Sequence, residues 1–234
     1  MIKALESIEP WEMVPNGKTE PTVFGIGVSD MGPVNSTAEG KQVMHPAYNA
    51  WKRLLSRAYC PKFKAKNLTY EGVTVCDEWL TFSNFYRWWQ AMYVPGWDLD
   101  KDIRVPGNKM YSPEACAFIP RSLNTALVDS GAVRGELPQG VSLNGKGYRA
   151  RCKDLSHPKR CWVSHTVPTV LEAAVMYANR KREVTERHLS ELPKDHVYLT
   201  ELISGARKIV NRQVLTAVRE AKEFDLKNGV NHGW

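Results

Sequence analysis

Apolar side chains recur at helical spacing in two stretches of the first half of the chain. In residues 45–59 they fall three or four positions apart: Tyr48, Trp51, Leu55 and Tyr59. A second apolar face surrounds Thr81, whose side chain suits the N-cap of a helix: Trp79, Phe82, Phe85, Trp89 and Met92. Both patterns predict helices that pack on a core. We interpret the aromatic side chains as core, not as a platform for stacked bases.

Residues 97–103 alternate polar and apolar side chains, which predicts a strand with one acidic side: Asp98, Asp100 and Asp102. A loop that contains Asn108 follows, and after it comes a short apolar run at residues 115–119. Pro120 suits the first turn of a helix, which then carries Asn124. The pattern of this stretch is therefore strand, loop, strand and helix.

Turn-forming residues divide the chain into regions. Prolines and glycines interrupt residues 1–43, which predicts an irregular segment with one short strand at residues 23–28. Residues 129–139 are rich in glycine and turn formers, which predicts a linker. Residues 44–128 then form one domain, because the short strand-and-helix unit cannot bury a core alone and needs the preceding helices around it.

A different pattern begins after the linker. Three short strand-like segments occupy residues 140–143, 148–152 and 160–163, with turns between them. A helix is predicted at residues 170–189. These elements predict a second domain over residues 140–192.

Residues 193–234 form a third, helical region with an amphipathic face. We expect that face to pack on the second domain. Dimerisation and an approach to DNA remain open alternatives, the second through these side chains: Arg207, Lys208, Arg212 and Arg219.

The composition limits the partners and the compartment. The formal net charge of +7 and the sequence pI of about 9.1 favour a polyanion, and nucleic acid and an anionic membrane both fit. No apolar run approaches the ~20 residues of a membrane span, so no membrane partner is expected. The N-terminus lacks the apolar core of an export signal, and the five cysteines, an odd number, are typical of a reducing compartment. We therefore expect a cytoplasmic location.

The strand, loop, strand and helix stretch resembles the HNH nucleases, which have the ββα-metal (His-Me finger) fold, in the form found in phage homing endonucleases. Residues 99–102 (LDKD) lie where that family has its acid–histidine pair. Residues 113–116 (PEAC) match the turn that follows the loop in the family. The resemblance covers most of residues 44–127.

This resemblance implies a DNA endonuclease that uses one divalent cation, Mg or Mn. Asp100 and Asn124 stand at the family's two ligand positions, and Asn108 stands at the position that anchors the loop. Carboxylate and amide oxygens suit these hard cations. The catalytic residues would be Lys101, Asp100 and Asn124.

Lys101 departs from the family, because it occupies the position of the general-base histidine. A lysine is protonated at neutral pH and cannot then accept a proton. Lys101 would act as a base only in its neutral form. As a charged group it would stabilise the phosphate, while a metal-bound hydroxide aided by His45 attacks. We favour the charged role, since three carboxylates surround the lysine in sequence.

The sequence offers no competing metal motif. None of the six histidines forms an H-x-x-x-H pair, and none of the five cysteines forms a C-x-x-C pair. Cys60, Cys76 and Cys116 would have to meet in space to hold zinc. We favour buried free thiols, so zinc is not expected.

The segment after the linker is similar to the APETALA-type DNA-binding domain, which is fused to HNH units in phage. The likeness rests on Gly140, Val141, residues 148–151 (YRAR) and residues 172–177 (EAAVMY). It implies that the sheet lies in the major groove, with a basic surface formed by these side chains: Arg149, Arg151, Lys153, Lys159, Arg160 and Trp162. The alternative is an exposed basic hairpin without specificity.

Three basic side chains of the first predicted helix would form a phosphate-contacting rim on the nuclease domain: Lys52, Arg53 and Arg57. We therefore predict an α+β protein with a ββα-metal nuclease-like domain, a three-stranded-sheet-and-helix DNA-binding domain and C-terminal helices. It would nick or cut double-stranded DNA, in the host cytoplasm if a phage encodes it. The alternatives are a catalytically inactive HNH-derived DNA-binding or host-inhibiting protein and a binder directed at RNA. The oligomeric state is left open.

Overall fold

The computed structural model describes residues 11–38, 40–128 and 135–230. The chain divides into two compact units, Met1–Phe118 and Ile119–Trp234. Both helices and strands are present, so the predicted α+β class is confirmed. The predicted nuclease domain, residues 44–128, has residues in both units. Most of the predicted linker lies outside the described residues, as do the first ten residues of the predicted irregular segment.

The first unit begins with short paired strands, whose bounds are as follows: β1 (Val14–Pro15), β2 (Pro21–Val23), β3 (Gly27–Val28), β4 (Met31–Gly32), β5 (Asn35–Ala38) and β6 (Lys41–Met44). β1 pairs with β4, β2 with β3 and β5 with β6, all antiparallel. The predicted single strand at residues 23–28 is wrong. Phe24 and Gly25 have φ angles of 55° and 73°, which reverse the chain between β2 and β3.

The first unit contains the following helices, of which α1 and α3 supply core residues and α2 buries none: α1 (Pro46–Tyr59), α2 (Pro61–Lys66) and α3 (Phe82–Met92). The predicted helical faces of α1 and α3 are confirmed, and their aromatic side chains are core. Trp51, Trp79, Phe82 and Phe85 have no exposed surface. The indole N–H of Trp51 donates to the carbonyl of Trp79 over 2.7 Å, so this buried polar group is satisfied.

The stretch that resembles the HNH motif forms short strands and a helix: β7 (Thr74–Val75), β8 (Trp97–Asp100), β9 (Met110–Tyr111), β10 (Ala117–Pro120) and α4 (Arg121–Leu127). β7 and β9 pair in parallel, and β8 pairs with β10, the strand at which the first unit ends. The predicted strand over residues 97–103 is wrong beyond Asp100. The carboxylate of Asp100 accepts hydrogen bonds from the backbone N–H groups of Asp102 and Ile103 and so turns the chain.

The second unit contains a three-stranded sheet and two long helices: β11 (Val141–Asn144), β12 (Gly147–Lys153), β13 (Cys161–Val163), α5 (Val170–Ser190) and α6 (Leu199–Lys227). The sheet is antiparallel in the order β11-β12-β13. The predicted three strands and following helix are confirmed to within a few residues. Ala150 and Cys152 of the sheet share a buried cluster with Tyr177, Val184 and Ala217 of the helices.

The C-terminal helix packs within the second unit, which confirms the favoured expectation for this region. Its side chain Asp225 is buried and accepts hydrogen bonds from the backbone N–H groups of Val170 and Leu171 over 3.1 and 2.9 Å. These groups open α5, where the first N–H groups of a helix lack partners in the helix itself. A carboxylate at that end is also favoured by the helix dipole. Asp225 therefore ties α6 to the start of α5.

Gly140 lies directly before β11 with a φ of +78°. A Cβ atom at this position would overlap the ring of Tyr177, whose side chain is buried beneath it. Gly145, in the turn between β11 and β12, also has a positive φ, of 60°, but a Cβ there would meet nothing within 4 Å. A side chain at Gly145 would therefore meet backbone strain alone, whereas one at Gly140 would meet both strain and steric overlap.

We expect Gly140→Ala to lower the free energy of unfolding by about 3 kcal/mol, because overpacking adds to the strain of a left-handed backbone. Gly145→Ala is the matched control and should cost only about 1 kcal/mol. Urea denaturation of both variants measures the difference. Equal losses in the two variants would contradict the close packing of Tyr177 on Gly140.

Candidate active site and nucleic-acid interface

Asp100 is the last residue of β8, and its carboxylate is held in place through one of its two oxygens. Oδ1 accepts from the backbone N–H groups of Asp102 and Ile103 over 2.8 and 2.7 Å. Oδ2 accepts no hydrogen bond from any described residue. Burial raises the pKa of Asp100, and the neighbouring carboxylate of Asp102 raises it further, against the two backbone N–H groups and Lys101, which lower it. A carboxylate with one fixed and one unused oxygen, in surroundings that disfavour its charge, fits a ligand of a divalent cation.

Lys101 is held in a closed set of contacts with the loop that follows. Its ammonium donates to both carboxylate oxygens of Asp102, over 2.7 and 2.8 Å, and to the carbonyl of Asn108 over 2.8 Å. The side-chain N–H of Asn108 donates back to the carbonyl of Lys101 over 3.0 Å. Three acceptors use the three hydrogens of an ammonium. Lys101 and Asn108 thus tie the two ends of the loop together, and only 11% of the lysine side chain is exposed.

Arg57 faces the same region from the last turn of α1. Its Nη1 donates to the hydroxyl of Tyr111 over 3.2 Å, and its Cζ lies 5.6 Å from the ring centroid of Tyr70. Burial lowers the pKa of Arg57, but Tyr111, Tyr70 and Asp100 raise it and outweigh burial. No other hydrogen bond of its guanidinium is made to a described residue. A charged guanidinium with unused donors is therefore held by Tyr111 and Tyr70 and acts electrostatically on the Asp100 carboxylate.

This position of Arg57 differs from the predicted rim. Lys52 and Arg53 are exposed on α1, as a rim requires, whereas Arg57 is half-buried between two tyrosines. Tyr111 itself is buried. The sequence places all three cations on one helix, but it does not show that Tyr70 and Tyr111 pack around Arg57.

His45 has a structural role at the start of α1. Its Nδ1 accepts from the backbone N–H of Ala47 over 3.1 Å, which leaves the hydrogen on Nε2 to be donated to the carbonyl of Trp11 over 3.0 Å. The ring is enclosed by Trp11, Tyr86 and Trp89, and burial lowers its pKa. Both nitrogens are used and no surface is exposed. The prediction that His45 assists a hydroxide is therefore wrong, and the residue is an N-cap.

Asn124 lies on α4 in the second unit, whereas Asp100 lies in the first. Their joint ligation of one cation stays a prediction. Among the residues that the structure describes, no group of three or more His, Cys, Asp and Glu side chains is arranged to hold a metal ion. The five cysteines are free thiols, and burial raises the pKa of Cys116 and Cys152.

The outer face of the second unit's sheet carries basic side chains. Arg149, Arg151 and Lys153 alternate along β12 with the buried Ala150 and Cys152, so the three cations share one face. Arg149 donates from Nε to the hydroxyl of Thr166 over 3.0 Å. Four of the predicted DNA-contacting cations make no side-chain hydrogen bond or ion pair with described residues: Arg151, Lys153, Lys159 and Arg160.

Trp162 does not share that face. It pairs with Cys152 in the register of β12 and β13, so it points to the inner side of the sheet. There it packs against the buried cluster of the unit, and the guanidinium of Arg180 lies 5.7 Å from its ring centroid. The structure thus brings Arg149, Arg151 and Lys153 together on one face and leaves the predicted aromatic contact on the other side.

Asp154 holds the turn between β12 and β13, which carries Lys159 and Arg160. Its carboxylate has no exposed surface and accepts from Ser156, from Arg180 over 2.8 Å and from Arg187 over 2.8 Å. Burial acts to raise the pKa of Asp154, but these donors lower it well below its ordinary value. Sequence reasoning missed this residue. The available signal was Arg180 and Arg187, seven positions apart on one face of a helix.

Comparison of the chain with models of protein families, with characterised proteins and with solved structures gives no match. Over the described ranges, no helix is both long and apolar enough to cross a bilayer. The likenesses to HNH and APETALA-type domains therefore stay predictions.

We expect Asp100→Asn to stabilise the metal-free protein at neutral pH. The amide keeps an oxygen for the two backbone N–H groups and removes a charge that its surroundings disfavour. When folding raises the pKa of a carboxyl, the protein loses stability as the pH rises from the pKa of that group in the unfolded chain to its pKa in the folded chain. The gain of the variant should therefore be absent near pH 3 and reach about 1 kcal/mol at pH 8, or about 2–4 °C in Tm.

Thermal denaturation in EDTA at both pH values makes this measurement. Asp98→Asn is the control for loss of one carboxylate from the same strand. If Asp100→Asn is equally destabilised at pH 3 and pH 8, the carboxylate is not held in disfavoured surroundings.

Proposed function

We propose that this chain is a DNA-binding, metal-dependent endonuclease of the phage HNH type. The observation that carries the proposal is the carboxylate of Asp100, anchored by Oδ1 to two backbone N–H groups with Oδ2 unused. Anchored ligands of this kind are what a cation site needs for fixed geometry. Mg or Mn is the cation that its oxygen chemistry suits. Asn124 is the second proposed protein ligand.

The bound cation would supply an activated water and neutralise charge that develops on the phosphate. Asp100 would hold it through Oδ2. Arg57 would donate its unused N–H groups to a phosphate oxygen, an interaction that a planar guanidinium makes in bidentate form. Tyr111 keeps that guanidinium in position through the hydrogen bond to its hydroxyl. Lys101 and Asn108 would keep the loop after Asp100 in one conformation.

Double-stranded DNA is the proposed substrate. The support is the outer face of the β11-β12-β13 sheet, where Arg151 and Lys153 make no side-chain hydrogen bond or ion pair with a described residue. Lys159 and Arg160 are exposed in the turn after β12, which the buried Asp154 holds. Cations without internal partners are free to contact phosphates, and they lose no ion pair on binding.

The second candidate function is DNA binding without cleavage. The contacts of Lys101 favour it, because all three hydrogens of the ammonium are donated within the protein. An ammonium so engaged has no lone pair for a general base and no spare hydrogen for a phosphate. The two candidates differ in whether Lys101, at the position of the family's histidine, supports catalysis.

Incubation of supercoiled plasmid with the protein and Mg²⁺ or Mn²⁺, with EDTA as control, tests the proposal. We expect nicked or linear DNA with metal and none with EDTA. Asp100→Ala should lower the rate by about 100-fold or more, the scale of losing one group that stabilises developing charge. Its DNA affinity should stay close to that of the unchanged chain. Undiminished cleavage by this variant would refute the assignment of Asp100.

Three substitutions of Lys101 separate the two candidates in the same assay. For an active enzyme we expect Lys101→Arg to keep part of the activity, Lys101→Ala to lose it and Lys101→His to equal or exceed the unchanged chain. If the unchanged chain fails to cleave with either metal whereas Lys101→His cleaves, the protein is an inactive nuclease that binds DNA. A gel-shift assay of each variant monitors binding separately.

A further inference from the structure

The outward face of α6 carries a straight line of cations, here called the α6 stripe, which comprises these exposed side chains: Lys208, Arg212, Arg219 and Lys222. Their spacing of four, seven and three residues keeps them within one narrow sector of the helix. At 1.5 Å per residue the stripe is ~21 Å long. Leu215 and Leu226 lie on the same line and are 66% and 54% exposed.

The cations of the α6 stripe are unpaired within the part of the chain that the structure describes. None of them makes a side-chain hydrogen bond or ion pair with a described residue. The adjacent Arg207 shows the contrast, because its guanidinium binds both carboxylate oxygens of Glu186 over 2.8 and 2.7 Å. The nearest acidic side chains on the helix are Glu220, next to Arg219 in sequence, and Glu223 at the edge of the stripe, whereas Glu201 lies about two turns before it.

The stripe is held in one orientation. The opposite side of α6 is buried against the rest of the unit through these residues: Leu202, Ala206, Val210, Val214 and Ala217. Asp225 also fixes the helix to the start of α5. The helix therefore cannot turn its cations inward, and packing alone does not explain why this face is basic.

We infer that the α6 stripe is a second contact surface for the phosphate backbone of double-stranded DNA, made of residues distinct from the basic face of the sheet. The argument is charge complementarity. Duplex DNA carries one negative charge per ~1.7 Å of its axis with both strands counted, so ~21 Å of duplex carries about twelve charges, of which the stripe would face a part. Lysine and arginine on an exposed helix face supply phosphate contacts that do not depend on sequence. The inference rests on the proposed DNA binding and deepens it.

The test compares variants that lose the same charge from different surfaces. The stripe variant is Arg212→Gln with Arg219→Gln. The control is Arg182→Gln with Arg207→Gln, two exposed arginines outside the stripe on α5 and α6. The sheet variant is Arg151→Gln with Lys153→Gln. Glutamine keeps helix propensity, so folding of the helical variants should be unchanged, which far-UV circular dichroism checks.

Fluorescence anisotropy with a 30-base-pair duplex of arbitrary sequence, at about 0.05–0.3 M salt, gives the slope of log Kd against log salt concentration. Each lost phosphate contact lowers that slope by about 0.9, so the stripe variant should lose nearly 2. Its Kd at 0.1 M salt should rise about 10- to 100-fold. The control should keep the slope of the unchanged chain.

Three results would overturn the inference. If the stripe variant keeps the slope while the sheet variant loses it, the chain binds DNA without α6. If the stripe variant and the control lose the same amount, only the net charge matters. If the unchanged chain does not bind the duplex at any salt concentration, the proposed DNA binding itself is refuted. The first two results would refute only the role of the α6 stripe.

Discussion

The two hydrogen bonds that the Asp100 carboxylate accepts from the backbone govern the candidate active site. They stop β8 at Asp100 and start the loop that returns to β9. They also use one oxygen and leave the other unused. The loop is then closed by Lys101 and Asn108, each of which donates to the other's carbonyl. The same interaction thus sets the course of the chain and the orientation of the carboxylate that we propose as a metal ligand.

Buried carboxylates play comparable structural roles in the second unit. Asp225 joins α6 to the first turn of α5, and Asp154 joins the β12–β13 turn to Arg180 and Arg187 of α5. Breaking such a buried pair leaves an unsatisfied charge, which is costly. These contacts fix the elements that carry the two basic surfaces, the sheet face and the α6 stripe. Apart from Arg149, which donates to Thr166, the cations of those surfaces make no side-chain hydrogen bond or ion pair with described residues, which suits an anionic ligand.

Periodicity was sufficient to predict the main elements, because burial of one face leaves a regular record in the sequence. The helices α1, α3 and α5 and the three strands of the second unit follow from it. Contacts between side chains and the backbone leave no such record. The alternation of residues 97–103 continues past the point where Asp100 ends the strand, and nothing in the residue type of Phe24 reveals its positive φ.

The site residues divide in the same way. The cations of the sheet face follow from alternation along β12, whereas the inward position of Trp162 depends on the register with β13, which the sequence leaves open. The sequence leaves Lys101 as either a base or a charged group, and the three acceptors of its ammonium in the structure favour the charged form. The half-buried position of Arg57 depends on Tyr70 and Tyr111, residues that are distant from it in sequence.

The most direct test of the account is a calorimetric titration of the metal-free protein with Mn²⁺. Asp100→Asn keeps an oxygen for the backbone N–H groups and puts an amide nitrogen, which is no metal ligand, in place of Oδ2. We predict one bound Mn²⁺ per chain and an affinity at least about tenfold weaker in this variant, the scale seen for changes in a ligand shell. Asp98→Asn should bind as the unchanged chain does. Equal affinity of Asp100→Asn and the unchanged chain would contradict the assignment of Asp100 as the metal ligand.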